Sequence, residues 1–422
     1  MIINYINNYL WGSLWIIILG VAILGYFYFK KLQWQPATLT HQEKSHNNQF
    51  FFISMAGSIG LGNVFVVITE IQKYGGGIIL WLWIGALIGR YLKFWELFLS
   101  LKSKKNHDDF TGPILYIKTI NTTLSWIFGL LSIFYYMEIY QFNILVQLIY
   151  HSTSSVWSLS PTYGLYGIGL LLFFFIYWCR NRSTYITSSN ILMRIFLWGY
   201  FGFLVFLSIK YYYYIPSIIK DIINNLWQGS WSHKLLVVGI GIRTSIYCND
   251  IGVGYEGIIQ KYSHVEGVES KQIQYCYTII NSNTMDMLVC TTSALIALFY
   301  SKIFPTSWAF LNPLSLIINI FNLMMGPWGH WILTILIFSA GFTTLCTLFQ
   351  SGSLIINYFK PHWPSYSFYI ISFPIFIISL SYNLDSLFSF ITLGGGLLVM
   401  INGLSIGYIL IKGKYKNINH IS

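Results

Sequence analysis

Apolar runs of about twenty residues alternate with short polar stretches along the chain, and twenty residues of helix span the hydrocarbon core of a bilayer. Read in order, these runs predict an all-α integral membrane protein with about eleven transmembrane helices, at 9–30, 48–72, 76–101, 123–150, 163–179, 189–213, 234–260, 272–300, 331–357, 367–384 and 388–412. The polar linker "KKLQWQPATLTHQEKSHNN" follows the first run. Residues 301–330 form a long loop with an apolar piece of its own, expected as an extracellular re-entrant hairpin. The first run is long and has no basic segment before it, so it is expected to be a retained helix and not a cleaved signal.

Two of the runs are interrupted in a related way. "GSIGLGNV" places Gly57, Gly60 and Gly62, with the polar Ser58 and Asn63, in the middle of the second run. "NDIGVGYEG" places Gly252 and Gly254 in the seventh. Glycine inside a helix costs up to about 1 kcal/mol relative to alanine, so three in one short stretch mark a break. "IGLG" and "IGVG" lie five helices apart, and an odd spacing makes the two copies run in opposite directions through the membrane. Matched breaks in two inverted halves point to a transporter binding site; the competing explanation is that small residues let helices pack closely. The division that follows is an extra N-terminal helix and cytoplasmic linker over 1–45, a first five-helix repeat over 46–215 and a second over 216–422.

A broken helix frees backbone N–H and C=O groups, which lipid does not tolerate unless they line a cavity or are buried in protein. N–H groups freed at a half-helix N-terminus attract a carboxylate. Freed carbonyls suit a small cation when hydroxyls complete the shell, and "FSAGFTTL" in the ninth run supplies Thr343 and Thr344. An isolated pair of this kind more often bonds back to its own helix.

Composition supports the membrane assignment. Of 422 residues, 55% are hydrophobic and 9% charged, against about 25% charged in soluble domains. The net charge of +11 sits mostly in short loops between apolar runs, as topogenic charge and not as a nucleic-acid surface. Alternate loops collect Lys30, Lys31 and Lys44; Lys102, Lys104 and Lys105; Arg180 and Arg182; Lys261 and Lys271; Lys360; and Lys412, Lys414 and Lys416. The opposite set holds "HSTSSVWSLSPTYG" and the loop at Asp385, with Lys210, Lys220, Lys234 and Lys302 as exceptions. That bias puts the C-terminus in the cytoplasm and the N-terminus outside. The five cysteines form no CxxC, the nine histidines show no ligand spacing, and neither HExxH nor a nucleophile–base pair is present, so no enzyme or metal cofactor is expected.

The chain resembles the sodium:alanine/glycine symporters (the alanine or glycine:cation symporter family), which have the LeuT-type inverted-repeat architecture. The resemblance runs from about residue 45 to 359. "AGSIGLGNV" is similar to the family's "AGTVGTGNI", and "GGGIILWLWIGALIGRYLKFWELFLSLK" to its "GGPGAIFWMWVTALLGMATKFAEALLAVK". "TGPILYI", "GIRTSIYCNDIGVGYEG", "VCTTSAL" and "FTTLCTLFQSG" resemble "GGPMYYI", "GVKRGLFSNEAGMGSAP", "VCTLTAL" and "FSTILGWYYYG" in the same order. The resemblance implies a sodium site formed by the carbonyls of Ala56, Ile59 and Ala340 and the hydroxyls of Thr343 and Thr344. It implies a substrate carboxylate at the Gly57–Gly62 break, with Ser58, Gly60, Asn63, Gly252 and Gly254 around it and Asn249 and Asp250 supporting the second break. Gln147 matches a family glutamine and either faces the pocket or bonds a neighbouring helix. The implied cargo is a small neutral amino acid with sodium, carried by a monomer in the bacterial inner membrane; the alternative is a drifted member that binds without transporting.

The departures lie on the substrate side. Phe65 and Val66 replace small residues, Leu61 a threonine, Thr347 and Leu348 a Gly-Trp pair, and Ser353 a glutamate. Intramembrane acids are functional by default. Glu138 has no clear family counterpart and is either functional or satisfied by neighbouring tyrosines. Lys93 and Glu96 are spaced for an i,i+3 ion pair, and Asp286 sits one position from the family's usual aspartate.

Overall fold

The computed structural model describes residues 2–32, 41–104, 110–154, 160–227, 230–263, 269–306, 308 and 311–413. The centre of the predicted linker, residue 105, part of the loop at 155–159 and the tail with Lys414 and Lys416 lie outside them. Among the described residues there are helices and turns and no strand.

The first helix, α1 (Ile2–Lys31), starts earlier than predicted and packs along α4 (Ile78–Lys102) and α18 (Leu384–Ile411). Polar hooks fix its register: Asn7 donates to Thr392 Oγ1 at 2.5 Å, Trp11 to Thr392 O at 3.1 Å, and Trp95 of α4 reaches back to Gly25 O at 2.8 Å. The predicted second run is two helices, α2 (His41–Ser58) and α3 (Val67–Tyr74), joined through a π turn at Gly62–Val66 and bent by 56°.

A short α5 (Pro113–Lys118) precedes α6 (Thr122–Tyr135) and α7 (Ile139–Ser154). The sequence predicts one continuous helix over 123–150; the structure breaks it at Glu138, whose φ of +46° no α-helix accommodates. Next come α8 (Pro161–Trp178) and α9 (Arg182–Lys210), then α10 (Ile215–Trp227), an amphipathic helix with no counterpart among the predicted runs. The seventh run is α11 (Trp231–Cys248) and a single turn of α12 (Tyr255–Ile259); the eighth is α13 (Glu269–Ile280) and α14 (Ser282–Ile303). Inside the long loop lies α15 (Pro313–Met325), followed by α16 (Gly329–Phe359) and α17 (Ser367–Ser379).

By length and composition, seven helical segments among the described residues can cross a membrane, or eight if the bent α2–α3 pair is one span. Breaks explain part of the distance from eleven: α11 stops at 18 residues and carries His233, Lys234 and Arg243, and α17 has 13 residues. The interior is built where the interrupted helices meet. α16 packs against α2, α7 and α9, while α4 packs against α11 and α13. The two broken helices are thereby held between intact ones.

Candidate functional site

At the first break the helix ladder is diverted. In a continuous helix Gly60 N–H would donate to Ala56 O; here it donates to Asn63 Oδ1 and Ser58 O, both at 3.0 Å. The ladder restarts at Leu61, whose carbonyl accepts from Phe65 N at 2.8 Å. Ala56 O is thus released from its ordinary donor, and Ile59 O is met by another helix. Thr344 Oγ1 of α16 lies 3.1 Å from Ile59 O and 3.1 Å from its own Ala340 O. Thr343 Oγ1 donates to Ala340 O at 2.8 Å. Ala56, Ile59, Ala340, Thr343 and Thr344 are each at most 1% exposed. Packing α16 on α2 therefore gathers Ile59, Ala340, Thr343 and Thr344 as neutral oxygens in one buried place, the donor chemistry that suits sodium.

The second break begins where α11 ends. Asp250 takes φ +46°, and Gly252 and Gly254 take +87° and +92°, a region that glycine enters without steric cost. The chain re-enters helix when Ile258 N donates to Gly254 O at 3.3 Å. Asn63 ties the two breaks together. Its amide oxygen accepts from Gly60 N, and its NH₂ donates to Cys248 O, at the end of α11, at 3.0 Å. Gly57 is needed for contact: a Cβ there would stand 2.3 Å from the Tyr255 ring.

Gln141 was missed by the sequence reading. Its Oε1 accepts from Leu61 N at 3.1 Å, covering an N–H group that the first break frees. Gln147, the predicted residue, lies six positions on, about 9 Å along α7. It is half-buried and forms no hydrogen bond to the break among the described residues. Gln141 carried the same signal, a polar side chain in an apolar helix, but no motif match drew attention to it.

The buried charges rearrange one expectation. Lys93 does not pair with Glu96. Its Nζ lies 2.8 Å from Glu256 Oε1 and donates to Asn283 Oδ1 at 2.7 Å and Asn249 O at 3.4 Å. The reason is direction: α4 turns Lys93 toward the second break, while Glu96 accepts from Asn402 Nδ2 of α18 at 2.7 Å. Asn402 also donates to Gly252 O at 2.9 Å. Ser54 bonds Glu256, and Ser58 donates to Asp286 Oδ1 at 2.9 Å. A band of charge therefore runs behind both breaks, linking α2, α4, α12 and α14. Glu256, two residues past Gly254, was missed by the sequence reading, although an acid in an apolar run is the signal that could have found it. Asp286, one register off the family pattern, nonetheless reaches Ser58. Asn249 stays at the end of α11, its Nδ2 donating to Ser245 O at 2.6 Å.

Above the π turn, a cavity of about 240 Å³ is lined by Trp11, Val66, Glu70, Arg243, Tyr247 and Phe388, among others. Arg243 and Glu70, both in its lining, form an ion pair at 3.1 Å. Val66, one of the substrate-side departures, faces this cavity; Phe65 is buried.

The description "Sodium:alanine symporter family" matches residues 1–420. The chain belongs to that family. Among members of known sequence, the probable sodium/glutamine symporter GlnT of Bacillus subtilis is 24% identical over 381 residues, covering 85% of this chain and 77% of GlnT. The amino-acid carrier protein AlsT of the same organism is 22% identical over 381 residues, covering 85% and 78%. The sodium/alanine symporter AgcS of Methanococcus maripaludis is 26% identical over 133 residues, covering 28% and 29%. In fold, the chain is similar to MhsT, solved in complex with L-phenylalanine, at TM-score 0.66 and 15% identity, covering 89% of this chain and 90% of that one. The family member described here is accordingly a multi-pass membrane protein of the LeuT-type fold.

Proposed function

We propose that the protein carries a small neutral amino acid of the alanine or glycine class into the cell together with sodium. The observation that supports this reading best is the meeting of Thr344 Oγ1 with the carbonyls of Ile59 and Ala340 at a helix break. Sodium bound there would tie α16 to the end of α2 and order the broken backbone at which the substrate carboxylate binds. Such coupling is reciprocal: substrate raises sodium affinity by the factor by which sodium raises substrate affinity. Relatives named for glutamine and for alanine support amino-acid cargo. The basic loops favour a bacterial inner-membrane protein with its N-terminus outside and C-terminus in the cytoplasm, working as a monomer, with the repeats at 46–215 and 216–422 rocking about the site.

One observation favours the alternative of binding without flux: the substrate-side departures sit at the first break, with Phe65 buried in the π turn and Val66 lining the cavity. Uptake of radiolabelled alanine, glycine and glutamine into proteoliposomes, under sodium, lithium and proton gradients, separates the two. The symport reading expects accumulation that needs sodium. Uptake indifferent to sodium would defeat the coupling, and binding without counterflow would establish the alternative.

A further inference from the structure

Among the described residues, two that are not glycine have positive φ, and both are acids at helix breaks: Glu138 and Asp250, each at +46°. Strain of this kind on a side chain that rarely tolerates it points to function when the residue is also chemically exposed to a ligand position. Asp250 is provided for, since Tyr135 donates to its Oδ1 at 2.8 Å. Glu138 is not. It is 3% exposed, its Oε2 has no hydrogen-bond partner, and among the described residues it forms no ion pair. The two tyrosines before it turn elsewhere: Tyr135 donates to Asp250, and Tyr136 donates to Val253 O at 2.7 Å. A buried carboxylate with an open oxygen and no cation is a place where a cation belongs.

The neighbour of Glu138 shows which cation. Gln141 sets its amide beside the Glu138 carboxylate and accepts from Leu61 N at 3.1 Å through its amide oxygen. An amide holds its oxygen and nitrogen about as far apart as the carboxylate oxygen and ammonium nitrogen of an α-amino acid. The side chain thus rests with its acceptor on a freed N–H group and its amide beside an acid. We propose that Glu138 is the anchor for the ammonium group of the transported amino acid, and that the Gln141 amide stands in for the substrate's zwitterionic end until the substrate displaces it. This rests on the amino-acid symport reading and adds to it a charged ammonium contact supplied by this chain's own third helix break. Substrates are then α-amino acids with a free ammonium, and their hydroxy-acid analogues are excluded.

The test is binding of radiolabelled L-alanine and L-glutamine to the full-length protein in detergent with saturating sodium, alongside its thermal unfolding. Glu138→Gln is expected to weaken whichever amino acid the wild type binds by at least 30-fold. Glu138→Gly removes the carboxylate and relieves the positive φ, so it should melt no lower than wild type while binding as weakly as Glu138→Gln. Gln141→Ala should bind several-fold tighter, and L-lactate should not compete. Unchanged amino-acid affinity in Glu138→Gln would overturn the proposal and leave the symport reading standing. So would a loss of sodium affinity alone, which would make the carboxylate a sodium ligand. A Glu138→Gly protein that melts well below wild type would assign Glu138 a structural role and overturn it too. If the wild type binds neither amino acid, the symport reading itself fails, and this inference with it.

Discussion

Thr344 has one hydroxyl proton and two carbonyls within 3.1 Å, so one of those carbonyls always lacks it. A sodium ion removes that conflict, because carbonyl and hydroxyl oxygens all coordinate it by their lone pairs. Thr344→Ala should therefore raise the sodium concentration for half-maximal uptake by tenfold or more, about 1.4 kcal/mol, in a sodium titration of proteoliposome uptake. Thr344→Ser should stay within a few-fold of wild type, and Thr343→Ala should fall between. Gly57→Ala tests a different residue-scale constraint. Its methyl would stand 2.3 Å from the Tyr255 ring, and overpacking of this kind costs about 1–3 kcal/mol, visible as a lower melting temperature in detergent. At this scale the sequence was informative about residue types and silent about partners. Glu138 was legible as an intramembrane acid, but whether tyrosines satisfied it depended on where Tyr135 and Tyr136 pointed, and they bond to the second break.

Between elements, the contact that fixes the second broken helix to α4 behind the site is the Lys93–Glu256 pair at 2.8 Å, with both side chains at most 3% exposed. Removing one member of a buried pair leaves the other charge unpaired, at about 3–5 kcal/mol, whereas replacing both with apolar groups is often neutral. Lys93→Met and Glu256→Met should each lower thermal stability strongly, and the double substitution should restore much of it. Equal damage in the double variant would show that the pair is not the coupling. Asn63 acts between elements too, joining Gly60 N to Cys248 O. Asn63→Ala should impair uptake more than it impairs folding, read as a lower maximal uptake rate at normal surface expression.

The i,i+3 spacing of Lys93 and Glu96 suggested a local pair, yet local spacing only makes such a pair available. A distant acid won because α12 brings Glu256 to Lys93, while α18 offers Asn402 to Glu96. The break between α6 and α7 was illegible for a related reason: "YYMEIYQF" contains no glycine or proline to announce it.

For the whole molecule, the arrangement of intact helices around interrupted ones predicts alternating exposure of the site. The Glu70–Arg243 pair lines the 240 Å³ cavity. Glu70→Gln should weaken that pair and raise the accessibility of a cysteine introduced at Val66 to a membrane-impermeant thiol reagent, with sodium reversing the change if sodium selects a closed state. If labelling is unchanged, the pair is not a gate.

Hydropathy alone determined that this chain lives in a membrane, because 55% apolar and 9% charged residues leave too few polar groups to face water. The glycine repeats also determined where two helices break, since backbone cost is local. Tertiary structure decided the rest. Which hydroxyl reaches Ile59 O, which acid meets Lys93, and why Gln141 and not Gln147 covers the first break are all matters of facing direction between segments far apart in sequence. Those directions are fixed by packing, and only folding brings the partners within hydrogen-bonding distance.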